Sequence, residues 1–293
     1  MERLAQGFFD GGYFQTFVDK AYPPDGAGKH PYPFFPIRRD RVLGLCGEPG
    51  PKHFVDIGCG GGHLSERFLL SGATGICVDF SPRMLAWCGS RMDSLGVPRQ
   101  SYRLLEAFAS DLKAIETDSA DLVLCIGPLE YCSDAEADAI LAECVRIARP
   151  GGSIVTAHLN MLFDLFTLDK FTVEFYRRSI APAFAMDDSK VDWVIGKMRD
   201  RLSLSETGTK TESIREDVKT RTDNPLTVRE KFRDVGLTVQ DMRFVRFFAA
   251  PPFCGNEDRS IAEQPVSLEE ELSANWLGYI AASSFIVKSI KAD

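Results

Sequence analysis

Residues 55–64 read VDIGCGGGHL, an apolar run containing Asp56 followed by four glycines in the five positions from Gly58 to Gly62, interrupted only by Cys59. Glycines packed this densely between a strand and a helix let backbone approach a ligand closely and take positive φ angles. Asp79 ends the next apolar run, TGICVD, 21 residues after Gly58. A carboxylate at that place can accept two hydrogen bonds from ribose hydroxyls. The strict dinucleotide pattern GxGxxG is missed, because its sixth position is His63. Asp56 separates the remaining ligands: a carboxylate at the loop entrance repels a pyrophosphate, more strongly in a drier site, and favours an ammonium or sulfonium. Together these groups suit a nucleoside joined to a positively charged amino acid. S-adenosylmethionine is such a molecule.

Methyl transfer from a sulfonium is an in-line displacement, so the protein must align donor and acceptor, exclude water and leave the acceptor a lone pair. An alcohol or phenol is helped by a general base, whereas a well-held neutral amine needs none. His158, at the end of SIVTAH, is the best-placed basic side chain, as a base, a hydrogen-bonding group or a structural residue. Glu130, after DLVLCIG, is placed to position or deprotonate a polar acceptor, to begin a helix, or to lie at the surface; Leu129 and Tyr131 flank it at the same strand end and are further candidate substrate contacts. His63 opens a helix at the glycine loop, where a cationic charge opposes the helix dipole, so it is expected to be neutral. His30 is a further pocket candidate.

The elements that must hold these residues alternate in type. HFVDIG, TGICVDF, SYRLLEA, DLVLCIG and SIVTAHL read as strands, and HLSERFLLSG, SPRMLAWCGSRMDSLG and DAEADAILAECVRIARPGG as the helices among them. Ser81 is a plausible N-cap with Pro82 at the first helical position. This alternation implies an α/β fold with a mostly parallel sheet covered on both faces. Ile37 to Leu45 reads as the end of a short helix. Regularity is lost over 160–222, where two or three aromatic-rich helices precede a polar loop, TGTKTESIREDVKTRTDNP. LTVREKFRDVG and LTVQDMRFVRFF restore a helix and a strand, and SSFIVKSI is the last strand.

The chain is read as an N-terminal cap segment (1–50), a binding core (51–160), a helical insertion over the substrate (161–222) and a completion of the sheet (223–293). Tyr13, Tyr22 and Phe163 are candidate substrate contacts, although aromatics of the two elaborations packing on one another is an equal reading. Acidic pairs and runs, Asp187-Asp188 and Glu269 to Glu271, read as solvated surface, and residues 256–272 hold six acidic side chains against one basic.

Over 293 residues the formal charge is −8 and no dense basic block occurs, which gives no general attraction to nucleic acid. No stretch has signal-peptide or membrane-spanning character, so a cytoplasmic protein without membrane contact is expected, as monomer or homodimer. The eight cysteines form no paired CxxC knuckles, and those in apolar runs read as small hydrophobes. No metal site is expected.

These motifs resemble those of the class I, Rossmann-like S-adenosylmethionine-dependent methyltransferases. VDIGCGGGHLS is similar to their first motif, VDFSPRML to the second strand and its turn, DLVLCIGPLEYCSD to the fourth strand and the segment after it, and RIARPGGSIVTAHLN to the elements closing the core. The resemblance implies a three-layer sandwich with a seven-stranded sheet and an antiparallel last strand, which SSFIVKSI would supply, plus helical and aromatic cap elements. It puts Asp56 and the backbone of Gly58, Cys59, Gly60 and Gly62 beside the methionine part of S-adenosylmethionine, and Asp79 on the ribose. Phe80 and Met84 would line the adenine, Glu106 would approach its amino group with Ala107 or Phe108 adding contacts, and Gly127 would border the same crevice. Segments such as NMLFDLFTLDKFTVEFY are similar to bacterial methyltransferases of sugar and polysaccharide biosynthesis. The implied activity is methylation of an oxygen or nitrogen of a small metabolite or glycan precursor, leaving S-adenosylhomocysteine. The alternatives are protein or RNA methylation, and cofactor binding without catalysis.

Overall fold

The continuous apolar character of the strand runs fits a sheet buried on both faces, and the computed structural model shows such a sheet. It describes residues 34–47, 50–202, 220–252 and 266–292. The strands are β1 (His53–Ile57), β2 (Thr74–Asp79), β3 (Tyr102–Glu106), β4 (Ala120–Cys125), β5 (Ala148–Asn160), β6 (Thr222–Asp223), β7 (Leu237–Phe247) and β8 (Ala282–Lys291). Seven of them lie in the order β3-β2-β1-β4-β5-β8-β7. Neighbours from β3 to β5 pair in parallel, while β8 runs antiparallel between β5 and β7. The expected seven-stranded sheet with an antiparallel last strand is therefore present. The two-residue β6 lies in a segment whose composition predicts a polar loop, and it adds an eighth strand to the end of β5.

Successive strand residues point to opposite faces, and the core divides accordingly. Val55, Val123, Ile154 and Phe285 belong to one buried cluster, and their neighbours Phe54, Leu122, Val155 and Ile286 to the other. The helices are α1 (Phe34–Cys46), α2 (Ser65–Leu70), α3 (Pro82–Ser94), α4 (Asp134–Ile147), α5 (Asp164–Thr167), α6 (Lys170–Phe175), α7 (Asp188–Leu202), α8 (Val228–Asp234), α9 (Val266–Leu272) and α10 (Gly278–Ala281). Residues of α4 and α8 complete the first cluster, and those of α1, α2 and α3 the second.

Helix starts follow the local chemistry. Ser81 accepts a hydrogen bond from the Met84 amide and Pro82 occupies the first turn, where its missing N–H costs nothing. Ser133 and Glu136 form a reciprocal capping box on α4. Between β5 and β6 the chain forms α5, α6, a π turn (Tyr176–Ile180), a short helical turn (Ala181–Ala183) and α7, with a small core of Val173, Ala181, Val191 and Ile195. No helix among the described residues is long and apolar enough to cross a membrane.

One surface expectation is corrected. Glu269 is 1% exposed, and its carboxylate accepts the backbone N–H groups of Arg246 and Phe247. Charge alone placed it at the surface, whereas two amides at the end of β7 draw it inward.

Candidate active site

The order β3-β2-β1-β4-β5 reverses direction between β1 and β4, and the carboxyl ends of strands at such a point form a ligand crevice. The glycine loop leaves β1 there. The Gly58 and Cys59 amides both donate to the Val78 carbonyl, which holds the loop against the end of β2. Asp79 completes the connection: its Oδ2 accepts the Gly60 amide at 2.9 Å and its Oδ1 the Ser81 amide at 2.9 Å. Both carboxylate oxygens accept loop amides, so Asp79 is oriented by the loop.

The glycines divide by what surrounds them. A Cβ at Gly58 would lie 2.5 Å from Pro128, one at Gly61 2.2 Å from the Trp87 ring, and one at Gly62 2.6 Å from Cys88 Sγ. Those three are required by packing of the loop on the protein itself. Among the described residues, no atom lies within 4 Å of a Cβ added at Gly60 (φ +51) or Gly127 (φ +124). These two positions open the crevice, one on the loop and one on the turn after β4.

Asp56 is buried, and Ser65 Oγ donates to its Oδ2 at 2.6 Å. Burial, reinforced by Cys77 and Asp79 and opposed by the Ser65 hydrogen bond, lifts its pKa to about 7. A carboxyl poised in this way gains most from a neighbouring cation. His63 is likewise buried, edge-on to Trp87 at 5.1 Å. Burial and the Arg91 and Arg39 charges push its pKa down to about 3, so it is neutral, as the helix dipole argument expects.

The residues expected around an adenine stand together at the ends of β2 and β3. Phe80 and Phe108 are stacked at 5.9 Å, Met84 is buried in the first turn of α3, and Ala107 donates its amide to the Asp79 carbonyl. Glu106 is exposed, opposite Asp79 across the β2–β3 pair.

After β4 the chain makes a tight turn, Gly127–Tyr131, in which the Glu130 amide donates to the Gly127 carbonyl and the Tyr131 amide to that of Pro128. Glu130 is buried, and its Oε1 accepts Arg38 Nη1 at 3.0 Å. Leu129, expected on the acceptor side, is packed into the main core instead. Tyr131 is half-buried. Phe163 is buried against Phe248 at 5.1 Å, with Phe166 at 6.1 Å. Tyr13, Tyr22 and His30 lie outside the described residues.

His158 does not have the surroundings of a general base. Its ring is 2% exposed, stacked on Phe285 at 5.0 Å and tilted against Phe232. Nδ1 donates to Asp223 Oδ2 at 2.7 Å, and Nε2 shares a 2.7 Å hydrogen bond with Thr156 Oγ1. Both nitrogens are thus occupied inside the core. Arg221 closes on Asp223 from the other side with Nη1 and Nη2 at 2.6 and 2.5 Å. Burial raises the Asp223 pKa, but His158 and Arg221 more than offset this and hold it well below the usual carboxylate range.

Arg221, Asp223 and Arg38 were not singled out from sequence. β6 is two residues long, too short for any hydrophobic period, and the only signal was the turn-forming Asn224-Pro225 behind it.

Residues 54–152 match the family described as methyltransferase domain. A ubiquinone biosynthesis O-methyltransferase of Xanthomonas campestris pv. campestris (strain B100) is 31% identical over 166 residues, which is 56% of this chain and 66% of that protein. The chain therefore matches just under two thirds of that relative's length. Among solved structures, magnesium protoporphyrin IX methyltransferase from Synechocystis PCC 6803, with S-adenosylhomocysteine bound, superposes with TM-score 0.59 at 13% identity, covering 100% of both chains. The cyclase SpnF superposes with TM-score 0.57 at 12% identity, covering 98% of this chain and 95% of that one. At such identities the structural likeness concerns the fold.

Proposed function

We propose that the chain is a class I, Rossmann-like S-adenosylmethionine-dependent methyltransferase, a reading supported by the methyltransferase-domain match over residues 54–152 and the 31%-identical O-methyltransferase, and that it methylates an oxygen atom of a small molecule. The observation that carries the cofactor assignment is the pairing of Asp79 with the open Gly60 position, beside the buried carboxyl of Asp56. Asp79 would hold the ribose, and the backbone around Gly60 the methionine part. Asp56 would face positive charge, and Phe80, Met84, Ala107 and Phe108 the adenine. When bound, S-adenosylmethionine supplies a methyl group on a sulfonium that displacement releases without prior activation.

The residues of this chain then have to position the acceptor and keep water out. Gly127, Glu130 and Tyr131 border the acceptor side, with Glu130 held by Arg38 as the group that orients an acceptor hydroxyl. Phe163 and Phe248 follow the ends of β5 and β7, which run parallel to each other and so reach the same edge of the sheet. They supply apolar cover suited to a ring. An oxygen acceptor is favoured by the relative's printed activity as an O-methyltransferase.

Two measurements test the reading. Calorimetry with S-adenosylhomocysteine and with NAD should show binding of the first alone. Transfer of labelled methyl from S-adenosylmethionine to a panel of phenols, catechols and sugar nucleotides should yield an O-methyl product. A second reading is cofactor binding without methyl transfer, since a protein described as a cyclase shares the fold. Tight S-adenosylhomocysteine binding with no transfer to metabolites, proteins or RNA would select it.

A further inference from the structure

We propose that Arg221 is a positioning residue for the methyl acceptor, acting through the turn Gly127–Tyr131 and not by touching the acceptor. The inference rests on the reading of the crevice as a methyl-transfer site. Arg221 grips this turn at several points. Its amide donates to the Glu130 carbonyl at 2.8 Å, and its Nη1 reaches the Leu129 carbonyl at 3.5 Å. Its Nε bonds Asp134 Oδ1 at 2.8 Å, at the start of the helix that follows the turn. The same guanidinium lies fork-on to both oxygens of Asp223, a planar two-point contact that lysine cannot copy.

Asp223 gives this clamp a fixed base. It sits on β6, paired to the end of β5, and is held by the buried ring of His158, whose far nitrogen is tied to Thr156. A connected chain of side chains thus runs from the middle of the sheet to the turn, and Arg221 is its last link. On its other side the turn meets the cofactor loop, where Pro128 fills the place of a Cβ at Gly58. The Arg38–Glu130 ion pair adds a second hold from α1. The turn abuts the loop that would hold the methyl donor and itself carries the residues that would face the acceptor, so its position sets the approach of one to the other. A misplacement of about 1 Å in such a geometry is enough to cost about a hundredfold in rate.

The test uses the full chain with Arg221→Met, Arg221→Lys and Asp223→Asn, read by hydrogen exchange, by S-adenosylhomocysteine affinity and by methyl transfer to the acceptor found by the panel. In Arg221→Met, exchange of the Glu130 and Tyr131 amides should rise at least tenfold, with the amides of β1, β2 and β4 unchanged. Affinity for S-adenosylhomocysteine should stay within threefold, and kcat should fall at least tenfold, with partial recovery in Arg221→Lys. Unchanged exchange at Glu130 and Tyr131 overturns the proposal, as does an increase spread evenly over the sheet, the mark of a merely structural residue. If Arg221→Met does not fold, Asp223→Asn carries the same readouts with the same two overturning results. If the wild-type protein transfers no methyl group, the proposed function fails while exchange still decides whether Arg221 sets the turn.

Discussion

His158 Nδ1 and Asp223 Oδ2 lie 2.7 Å apart, joining residues 65 positions apart in the chain inside the core beneath the crevice. The contact converts the best-placed basic residue of the sequence into a structural one, because neither ring nitrogen is left to take a proton from an acceptor. His158→Gln should therefore lower the melting temperature while leaving the midpoint of the pH–rate profile in place. Loss of turnover with a shifted profile and unchanged stability would restore the base.

Asp223 carries a pH signature of the same contact. Its native pKa lies below that of an unfolded aspartate, about 3.9, so its contribution to stability is complete above about pH 4 and is lost as pH falls further. Asp223→Asn should flatten the acid limb of a stability–pH curve. An acid limb identical to that of the wild type would count against the buried pairing.

Asp56 has the opposite sign. Its native pKa, raised from 3.8 to about 7, means the folded protein holds a proton that the unfolded chain releases. Stability without cofactor should therefore fall as pH rises from about 4 to about 7 and level off above, by an order of about 4 kcal/mol. Asp56→Asn should remove this slope and raise the melting temperature at pH 8. The same substitution should weaken S-adenosylmethionine binding, since the carboxylate that is costly to the empty fold is the one a cation would repay. Binding by the wild type should tighten between pH 6 and 8 and release a proton, measurable as a buffer-dependent calorimetric enthalpy. A pH-independent affinity would remove Asp56 from the cofactor site.

Gly60 and Gly62 both have positive φ, yet they should answer differently to alanine. At Gly60 the added methyl meets open space, so the fold pays about 1 kcal/mol for the backbone angle and the larger loss should fall on cofactor affinity. At Gly62 the methyl meets Cys88 Sγ and Met92 Cε, both at 2.6 Å, so overpacking adds about 1–3 kcal/mol to the backbone cost. Urea denaturation alongside S-adenosylhomocysteine titration separates the two. Equal loss of affinity per unit of lost stability in both variants would show that Gly60 has no ligand-facing role.

The glycine loop, Asp79 and the Ser81 cap were legible because each rests on contacts within a few tens of residues, expressed in hydrophobic period or turn chemistry. Asp56 was legible as a charge at the loop entrance, but its coupling to Ser65 and its burial were not. His158 stands near the end of β5 as expected, but its hydrogen bond to Asp223 was not legible. Its partner lay in a segment whose composition reads as loop, and an apolar face formed by Phe232 and Phe285 becomes visible only once α8 and β8 are assembled around β5. Glu269 was hidden for the same reason: three consecutive glutamates look solvated until two backbone amides are aimed at the first of them.

Those amides set the last prediction. Arg246 has φ +62, a left-handed angle that is uncommon for a residue with a side chain, and with Phe247 it presents two successive N–H groups to one carboxylate. Adjacent N–H groups turned to the same side form an anion-binding concavity, and here a side chain of α9 fills it. Alanine at 269 would leave the buried Phe247 N–H without an acceptor, at about 1–3 kcal/mol, while the part-buried Arg246 N–H can turn to water. Glu269→Ala should thus lose about 1–3 kcal/mol in urea denaturation, with Glu269→Gln between it and the wild type because its amide oxygen satisfies one donor. The effect should appear as faster exchange of the Arg246 and Phe247 amides before the rest of β7 opens. A Glu269→Ala protein within about 0.5 kcal/mol of the wild type would mean that the carboxylate merely occupies the end of β7, and that the left-handed turn at Arg246 is held by its own packing.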